Sequence, residues 1–134
     1  MSAQDDAELV RRGYEAFIAG DMEWLNEHLH ENVVWHVPGH NLTSGDYRGR
    51  EDVLGFFARS VQIALPEFDI HDIVASDDHV VVLTSINWRR NDNGATWEGR
   101  IGQVFHLEGG RVLEVWTMGE DIGGFDQFLE GVSG

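Results

Sequence analysis

The fold is decided by three segments in the N-terminal third of the chain, YEAFIAGD (residues 14–21), VVWHVPG (33–39) and YRGRE (47–51). The first segment closes a helix, because the apolar residues around it recur at helical spacing and Gly20 is a typical helix stop. The second is rich in β-branched and aromatic residues and ends in a Pro-Gly pair, as expected of a strand. The third leads into another helical pattern. This part of the chain therefore predicts helices on both sides of a first strand.

Capping residues and apolar spacing predict three helices here. Asp5 or Asp6 is expected to cap the first helix and Asp21 the second, and the third begins at about Glu51. Their apolar stripes are Leu9, Val10, Tyr14, Phe17 and Ile18; Met22, Leu25 and Leu29; and Leu54, Phe57, Ala58 and Val61.

The second half of the chain is typical of strands. Alternating, β-rich runs cover residues 68–75, 79–90, 95–107 and 111–118, and clusters of Asp, Asn and Gly separate them. Short turns between consecutive strands make hairpins, so the sheet is mostly antiparallel. The expected fold class is α+β: a curved, mostly antiparallel sheet wrapped around three N-terminal helices as a cone-shaped barrel. A pocket is expected between the helices and the concave face of the sheet.

Composition limits the classes of partner. The chain has 134 residues, of which 42% are hydrophobic, and this predicts one globular domain over residues 1–134. With a net charge of -15 and nine scattered arginines in place of basic patches, it is not expected to bind nucleic acid. An apolar run long enough for a membrane span and a signal peptide are both missing, so a cytoplasmic protein without membrane contact is expected. The acidity serves solubility or, in the alternative, steers a cationic substrate.

Side-chain alternation divides the strand residues into two faces. One face carries Trp35, Val37, Thr84, Ile86, Trp88, Ile101, Gln103, Phe105, Leu107, Leu113, Val115 and Thr117. The other carries Val34, His36, Ser85, Asn87, Arg100, Gly102, Val104, Glu114, Trp116 and Met118. Alternation alone leaves open which of the two is concave.

In the order and spacing of its first three segments, the chain resembles the SnoaL-like branch of the nuclear transport factor 2-like (ketosteroid isomerase-like) superfamily. The resemblance implies a small cone with one apolar pocket, and it assigns the first of the two faces to that pocket. The ligand-binding residues expected from this assignment are Tyr14, Trp35, Val37, Ile86, Trp88, Ile101, Gln103, Phe105, Val115 and Thr117. The expected ligand is an apolar or aromatic small molecule.

The same resemblance implies which catalytic groups are replaced. The general base of ketosteroid isomerases is an aspartate just before a proline at the end of the first strand, and Val37 stands there. Their first-helix tyrosine falls on Gly13, with Tyr14 one step away, and their protonated aspartate falls on Gln103. The aspartate that SnoaL cyclases and limonene epoxide hydrolase carry in the last strand falls on Thr117. A ketosteroid isomerase of the usual mechanism is therefore not expected.

Three other ionisable residues are candidates for catalysis. His40 and Asp46 lie in the loop after the first strand, where an imidazole and a carboxylate could shuttle a proton; the alternative is a solvated loop. Glu120 follows the last strand and could reach over the rim as an acid or base if burial raised its pKa; the alternative is a helix-capping role. The histidines at 28, 30, 36 and 40 lack metal-ligand spacing, so neither a metal nor a cofactor is expected.

Two classes of function follow. The first is a cofactor-free enzyme that moves a proton on an apolar substrate, by isomerisation, cyclisation or epoxide opening. The second is a non-catalytic ligand-binding or assembly module. An ionisable group inside the pocket favours the enzyme, and a pocket lined by apolar residues and Gln103 favours the binding module.

The convex face predicts a homodimer. Trp116 and Met118 alternate there with Glu114, and an apolar stripe of this kind is expected to be covered by a second copy of the chain. Light scattering should find dimers at micromolar concentration, and Trp116→Arg should give monomers or insoluble protein. A monomeric wild-type chain would contradict this prediction.

Overall fold

In a computed structural model, which describes residues 2–132, four helices and six strands follow one another along the chain. They are α1 (Ala3–Ala19), α2 (Met22–His28), β1 (Leu29–Val37), β2 (Gly45–Arg48), α3 (Arg50–Ile63), β3 (Ala64–Ala75), β4 (His79–Arg90), β5 (Thr96–Glu108), β6 (Arg111–Gly119) and α4 (Ile122–Phe128). The predicted α+β class and the three N-terminal helices are confirmed. The fourth helix, α4, is an addition to the expected three.

The six strands form one curved sheet in the order β2-β1-β6-β5-β4-β3. Neighbouring strands are antiparallel except for β1 and β6, which run parallel, so the sheet is mostly antiparallel as predicted. The strands do not close into a ring: β2 and β3 are the two edges of an open, curved sheet. Pro66, which cannot donate to a neighbouring strand, lies on the edge strand β3, where the missing donor costs nothing.

The helix ends differ from the sequence prediction at one point. Ser2, not Asp5 or Asp6, caps α1: its hydroxyl accepts from the Asp5 N–H at 3.1 Å, and the Asp5 carboxylate accepts from the Ser2 N–H. This reciprocal pair is a capping box, which needs a hydroxyl at the cap and an acid three residues on. Gly20 ends α1 at φ 71°, and Asp21 caps α2, both as predicted.

The two faces of the sheet follow the predicted alternation over most of their length. Val80, Val82 and Val115 are fully buried on the concave face, in one apolar core with side chains of α1, α2 and α3. Leu113 is the exception, because the pairing between β5 and β6 shifts after His106. This bulge adds a residue to β6, so Val112 is buried in its place.

The convex face carries the stripe from which a homodimer is predicted. Met118 is 55% exposed, and Trp116 is half-buried beside it. The dimer itself stays a prediction. Among residues 2–132, no helix is long and apolar enough to cross a membrane.

Candidate functional site

A cavity of about 200 Å³ lies between the helices and the concave face of the sheet. Aromatic and aliphatic side chains from both layers make its walls. Of the residues predicted to bind ligand, those that line it are Tyr14, Trp35, Val37, Ile86, Trp88, Ile101, Gln103, Phe105 and Thr117. Val115 is fully buried in the core below them. An engineered apolar cavity of about 150 Å³ holds one benzene, so this space suits a substituted ring.

A chain of hydrogen bonds joins α1 to the floor of the cavity. The Tyr14 hydroxyl donates to Gln103 Oε1, and Gln103 Nε2 donates to Thr117 Oγ1 at 2.9 Å. Burial raises the pKa of Tyr14 well above its ordinary value, so the hydroxyl keeps its proton. Tyr14, not Gly13, is thus the first-helix residue whose hydroxyl meets Gln103; Gly13 lies against Trp24.

One imidazole, that of His28, also lines the cavity, although no ligand-binding or catalytic role was predicted for it from the sequence. His28 stacks on Trp24 with 3.9 Å between ring centroids, and its Nδ1 lies 2.7 Å from the Trp24 carbonyl oxygen. A carbonyl oxygen can only accept, so Nδ1 carries the hydrogen and Nε2 is the proton acceptor of the neutral ring. The sequence does contain a signal that His28 faces the cavity. It lies three residues after Leu25, on the same face of α2 as the apolar residues Met22 and Leu25. No Asp, Glu or Arg lines the cavity among the residues that the structure describes.

The last helix, α4, covers one end of the cavity. Ile122, Phe125 and Leu129 line it, and Phe125 meets the Trp97 ring edge-on at 5.1 Å. Arg90 is largely buried and donates to the carbonyl oxygens of residues 128 and 130, at 3.0 and 2.8 Å. The sheet therefore holds the C-terminal end of α4 through a single side chain.

Asp126, in the second half of α4, ties this helix to the loop that follows β1. Its carboxylate accepts from the His40 backbone N–H at 3.0 Å and from the Asn41 side chain at 2.7 Å. A Cβ on Gly39 would lie 2.5 Å from this carboxylate, and Gly39 also has φ 96°, so the loop needs glycine there. Neither Arg90 nor Asp126 carried a signal in the sequence, because the partners are up to 86 residues away.

The three candidate catalytic residues lie outside the residues that line the cavity. His40 is exposed and takes part through its backbone, as described above. Glu120 is paired with Arg100 at 2.8 Å, and this pairing lowers the pKa of Glu120, the reverse of the shift that a general acid needs. Asp46 meets His36 instead of the expected His40. The reason is register: His36 and Asp46 are directly opposite each other on β1 and β2. Their catalytic roles stay predictions.

On the convex face, His36 lies between two carboxylates. Its Nδ1 is 2.7 Å from Asp46 Oδ1 and its Nε2 is 2.6 Å from Glu114 Oε2, and the ring stacks near Trp116. Both ring nitrogens donate only in the protonated ring. The hydrogen bond to Glu114 and then that to Asp46 raise the pKa of His36 above its ordinary value of 6.5.

Comparison with known proteins gives the same picture of the fold. The profile of the SnoaL-like domain matches residues 10–115. The structure of Bal32a, from a soil-derived mobile gene cassette, superposes with a TM-score of 0.86 at 32% identity, over 96% of this chain and 98% of Bal32a. An NTF2-like protein of Burkholderia xenovorans superposes with a TM-score of 0.89 at 18% identity, over 97% and 99% of the two chains. An LEH-like epoxide hydrolase of M. tuberculosis reaches 0.74 at 17% identity, over 94% and 88%. At 17 and 18% identity the likeness is one of fold.

The His36 pairing predicts a pH-dependent contribution to stability. A histidine whose pKa is raised by folding stabilises the protein fully below the unfolded value, about pH 6.5, and loses this contribution as the pH rises through the folded value. The free energy of unfolding lost in His36→Gln should therefore be larger at pH 6 than at pH 9. Since these side chains are partly exposed, each pair contributes up to about 1 kcal/mol. Urea unfolding at several pH values measures it.

The NMR titration of the His36 ring supplies the control. Glu114→Gln and Asp46→Asn should each lower its midpoint, with the larger effect from Glu114, whereas Glu67→Gln on the exposed edge strand should not. Equal midpoints in all three variants and the wild type would show that the two carboxylates do not act on the ring.

Proposed function

The chain belongs to the SnoaL-like family of the NTF2-like superfamily, and we propose that its cavity binds a neutral, ring-sized apolar molecule that carries one hydrogen-bond-accepting oxygen, such as a cyclic ketone. The observation that carries this proposal is the Tyr14–Gln103–Thr117 chain in an otherwise apolar cavity. The volume of the cavity, the aromatic and aliphatic side chains of its walls, and the donors of this hydrogen-bonded chain each support the proposal.

The hydrogens of the three side chains in this hydrogen-bonded chain determine which group of a ligand can bind to it. Tyr14 uses its hydrogen on the Gln103 carbonyl, and the Gln103 amide uses one of its two on the Thr117 oxygen. The Thr117 hydroxyl hydrogen then has no acceptor among residues 2–132. With the amide turned round, Thr117 donates to Gln103 and the Tyr14 hydrogen is left over in the same way. Either arrangement leaves one hydroxyl hydrogen, on Thr117 or on Tyr14, and the second Gln103 amide hydrogen without an acceptor among residues 2–132, which favours an acceptor as the matching group on the ligand.

The walls favour a flat ring. Trp35, Trp88 and Phe105 line the cavity with large aromatic faces and edges, and such surfaces supply most of the binding energy for apolar ligands. The absence of a lining carboxylate among the described residues leaves nothing to pair with a cationic ligand. His40, Asp46 and Glu120, any of which inside the cavity would have favoured an enzyme, are all outside its lining, and this supports the binding module over an enzyme with a carboxylate base.

The first test compares two probes that differ by one carbonyl, 1-tetralone and tetralin, by titration of the tryptophan fluorescence. The wild-type protein should bind 1-tetralone more tightly. In the arrangement that the structure shows, Thr117→Val keeps the shape of the side chain and removes the hydroxyl donor, so it should weaken 1-tetralone binding about fivefold, the value of one neutral hydrogen bond of about 1 kcal/mol. Tetralin binding should stay within about twofold, because no hydrogen bond is lost there.

Two further variants separate the oxygen contact from the walls. Thr96→Val, on the exposed start of β5, is the matched control and should change neither affinity. Trp88→Ala should weaken both probes by about tenfold, which corresponds to about 1.4 kcal/mol. A wild-type protein that binds neither probe would overturn the proposal. If Thr117→Val leaves the ratio of the 1-tetralone and tetralin affinities unchanged, Thr117 does not contact the ligand oxygen and that part of the proposal is wrong.

A second function, cofactor-free proton transfer on the bound molecule, is favoured by His28. Its Nε2 is a proton acceptor among the lining residues, and the hydroxyl donor of the polar chain would stabilise the enolate that forms when a ketone loses an α-proton. This is the chemistry expected from the family resemblance, with an imidazole in place of the missing carboxylate.

Exchange of the α-protons of 1-tetralone in D₂O, followed by NMR, tests this function. If His28 acts as the base, the protein accelerates the exchange, and His28→Asn lowers the rate by about 10²–10⁴ while 1-tetralone still binds. The alanine variants of Asp46, His40 and Glu120 are the comparison. Loss of exchange in one of those, with His28→Asn unaffected, would return the catalytic role to the residues predicted from sequence. No acceleration by the wild type would leave a binding protein.

A further inference from the structure

We propose that His79 and His106, with Asp78 orienting His79, form a zinc-binding site on the convex face of the sheet. His79 opens β4 and lies directly opposite His106 on β5. The next pair in the same register, Val80 and Phe105, points into the core. The two imidazoles are therefore on the opposite side of the sheet from the cavity, and the site is independent of the proposed ligand.

The distances between the three side chains fit a metal ion. His79 Nε2 and His106 Nδ1 are 3.1 Å apart, with the ring planes at 78° to each other. Two nitrogens bound to a tetrahedral zinc at about 2.0–2.1 Å lie about 3.3–3.4 Å apart. The separation between the two nitrogens needs to grow by only a few tenths of an ångström, and each ring turns so that its lone pair points at the ion instead of at the other nitrogen. One ligand atom from each of Asp78, His79 and His106 lies within 4.8 Å of the others.

Asp78 prepares His79 for this role. Its Oδ1 is 2.8 Å from His79 Nδ1, so Nδ1 carries the hydrogen and Nε2 keeps its lone pair toward His106. A carboxylate that holds the far nitrogen of a metal-binding histidine fixes the tautomer and raises the basicity of the ring. In the metal-free state His106 Nδ1–H donates to that lone pair. When zinc binds, the His106 hydrogen moves to its own Nε2 through solvent, both facing nitrogens become ligands, and no net proton is released.

The chemical type of the ligands and the solvent exposure of the site determine which ion can bind. Neutral imidazoles with a carboxylate suit zinc and similar borderline metals better than magnesium or calcium, which prefer oxygen. The His79 side chain is 39% exposed and that of Asp78 59%, so the ion reaches the site without unfolding, and water completes its coordination. The net charge of -15 adds attraction for any cation.

Histidine spacing along the chain predicted no metal site, because that spacing covers only histidines that are neighbours in the sequence. His79 and His106 are 27 residues apart and meet only through the register of β4 and β5. The signal that could have found them is the position of each relative to the hairpin turn between the two strands.

Calorimetric titration of the EDTA-treated protein with zinc tests the proposal. The wild type should bind one ion per chain in the micromolar range. His106→Asn and His79→Asn should each weaken binding more than tenfold, and Asp78→Asn by about 10–100-fold, the usual effect of losing the residue that orients a ligand. His71→Asn, an exposed histidine on β3 outside the cluster, is the matched control and should bind like the wild type.

Cobalt supplies a second measurement that depends on geometry. The wild type loaded with Co²⁺ should show the visible absorption of a tetrahedral site, and His106→Asn should lose it. Circular dichroism checks that each variant is folded, which is expected since these side chains lie on the surface. The proposal fails if the wild type does not bind zinc at millimolar concentration, or if the His79 and His106 variants bind as tightly as the wild type.

Discussion

The register that joins β4, β5 and β6 is the constraint on which both faces of the sheet depend. Val80 pairs with Phe105, and Phe105 pairs with Val115, so three buried apolar side chains lie side by side under the cavity. A slip by one residue would exchange the faces. Gln103 would then lose Tyr14, and His106 would enter the core without a partner. The polar chain inside and the imidazole pair outside are thus consequences of one alignment.

With the strands in this register, the side chains of the helices and the sheet do not fill the space between them, and the cavity remains. Side chains that line a void lose packing contacts, which costs stability in a protein whose total is about 5–15 kcal/mol. Helix α4, which covers one end of the cavity, also has low stability by itself. It has seven residues, two of which are glycines, and so short a helix is marginal without tertiary contacts. Arg90 at the C-terminal end and Asp126 within the helix supply those contacts. Hydrogen bonds that hold α4 over an incompletely packed core support the proposal that a ligand occupies this space.

The features that were predicted correctly from the sequence depend on neighbouring residues, whereas those that were missed depend on contacts between distant segments. Strand β4 has the predicted bounds, and Gly20 and Asp21 lie at the predicted helix ends, because turn and cap chemistry is written in neighbouring residues. The wall residues of the cavity also followed from alternation once the concave face was assigned. Parallel pairing of β1 with β6, the Asp46–His36 contact and the Arg90 clamp depend on which distant segments meet, and no spacing in one sequence contains that information. The bulge near His106 broke the alternation for the same reason: one extra residue in a strand leaves no mark in its apolar pattern.

The distribution of charge narrows what the cavity can hold. Asp46, Glu114 and Glu120 are all outside, where water, His36 or Arg100 compensates them. A carboxylate inside would need a buried partner, and the lining offers neither an arginine nor a lysine among the described residues. A cationic ligand would meet an aromatic wall but no counter-charge, and an anionic one would meet a single hydroxyl donor. The strong acidity of the chain is therefore a property outside the cavity, and this distribution of charge supports the proposal of an uncharged ligand whose oxygen faces the Tyr14–Gln103–Thr117 chain.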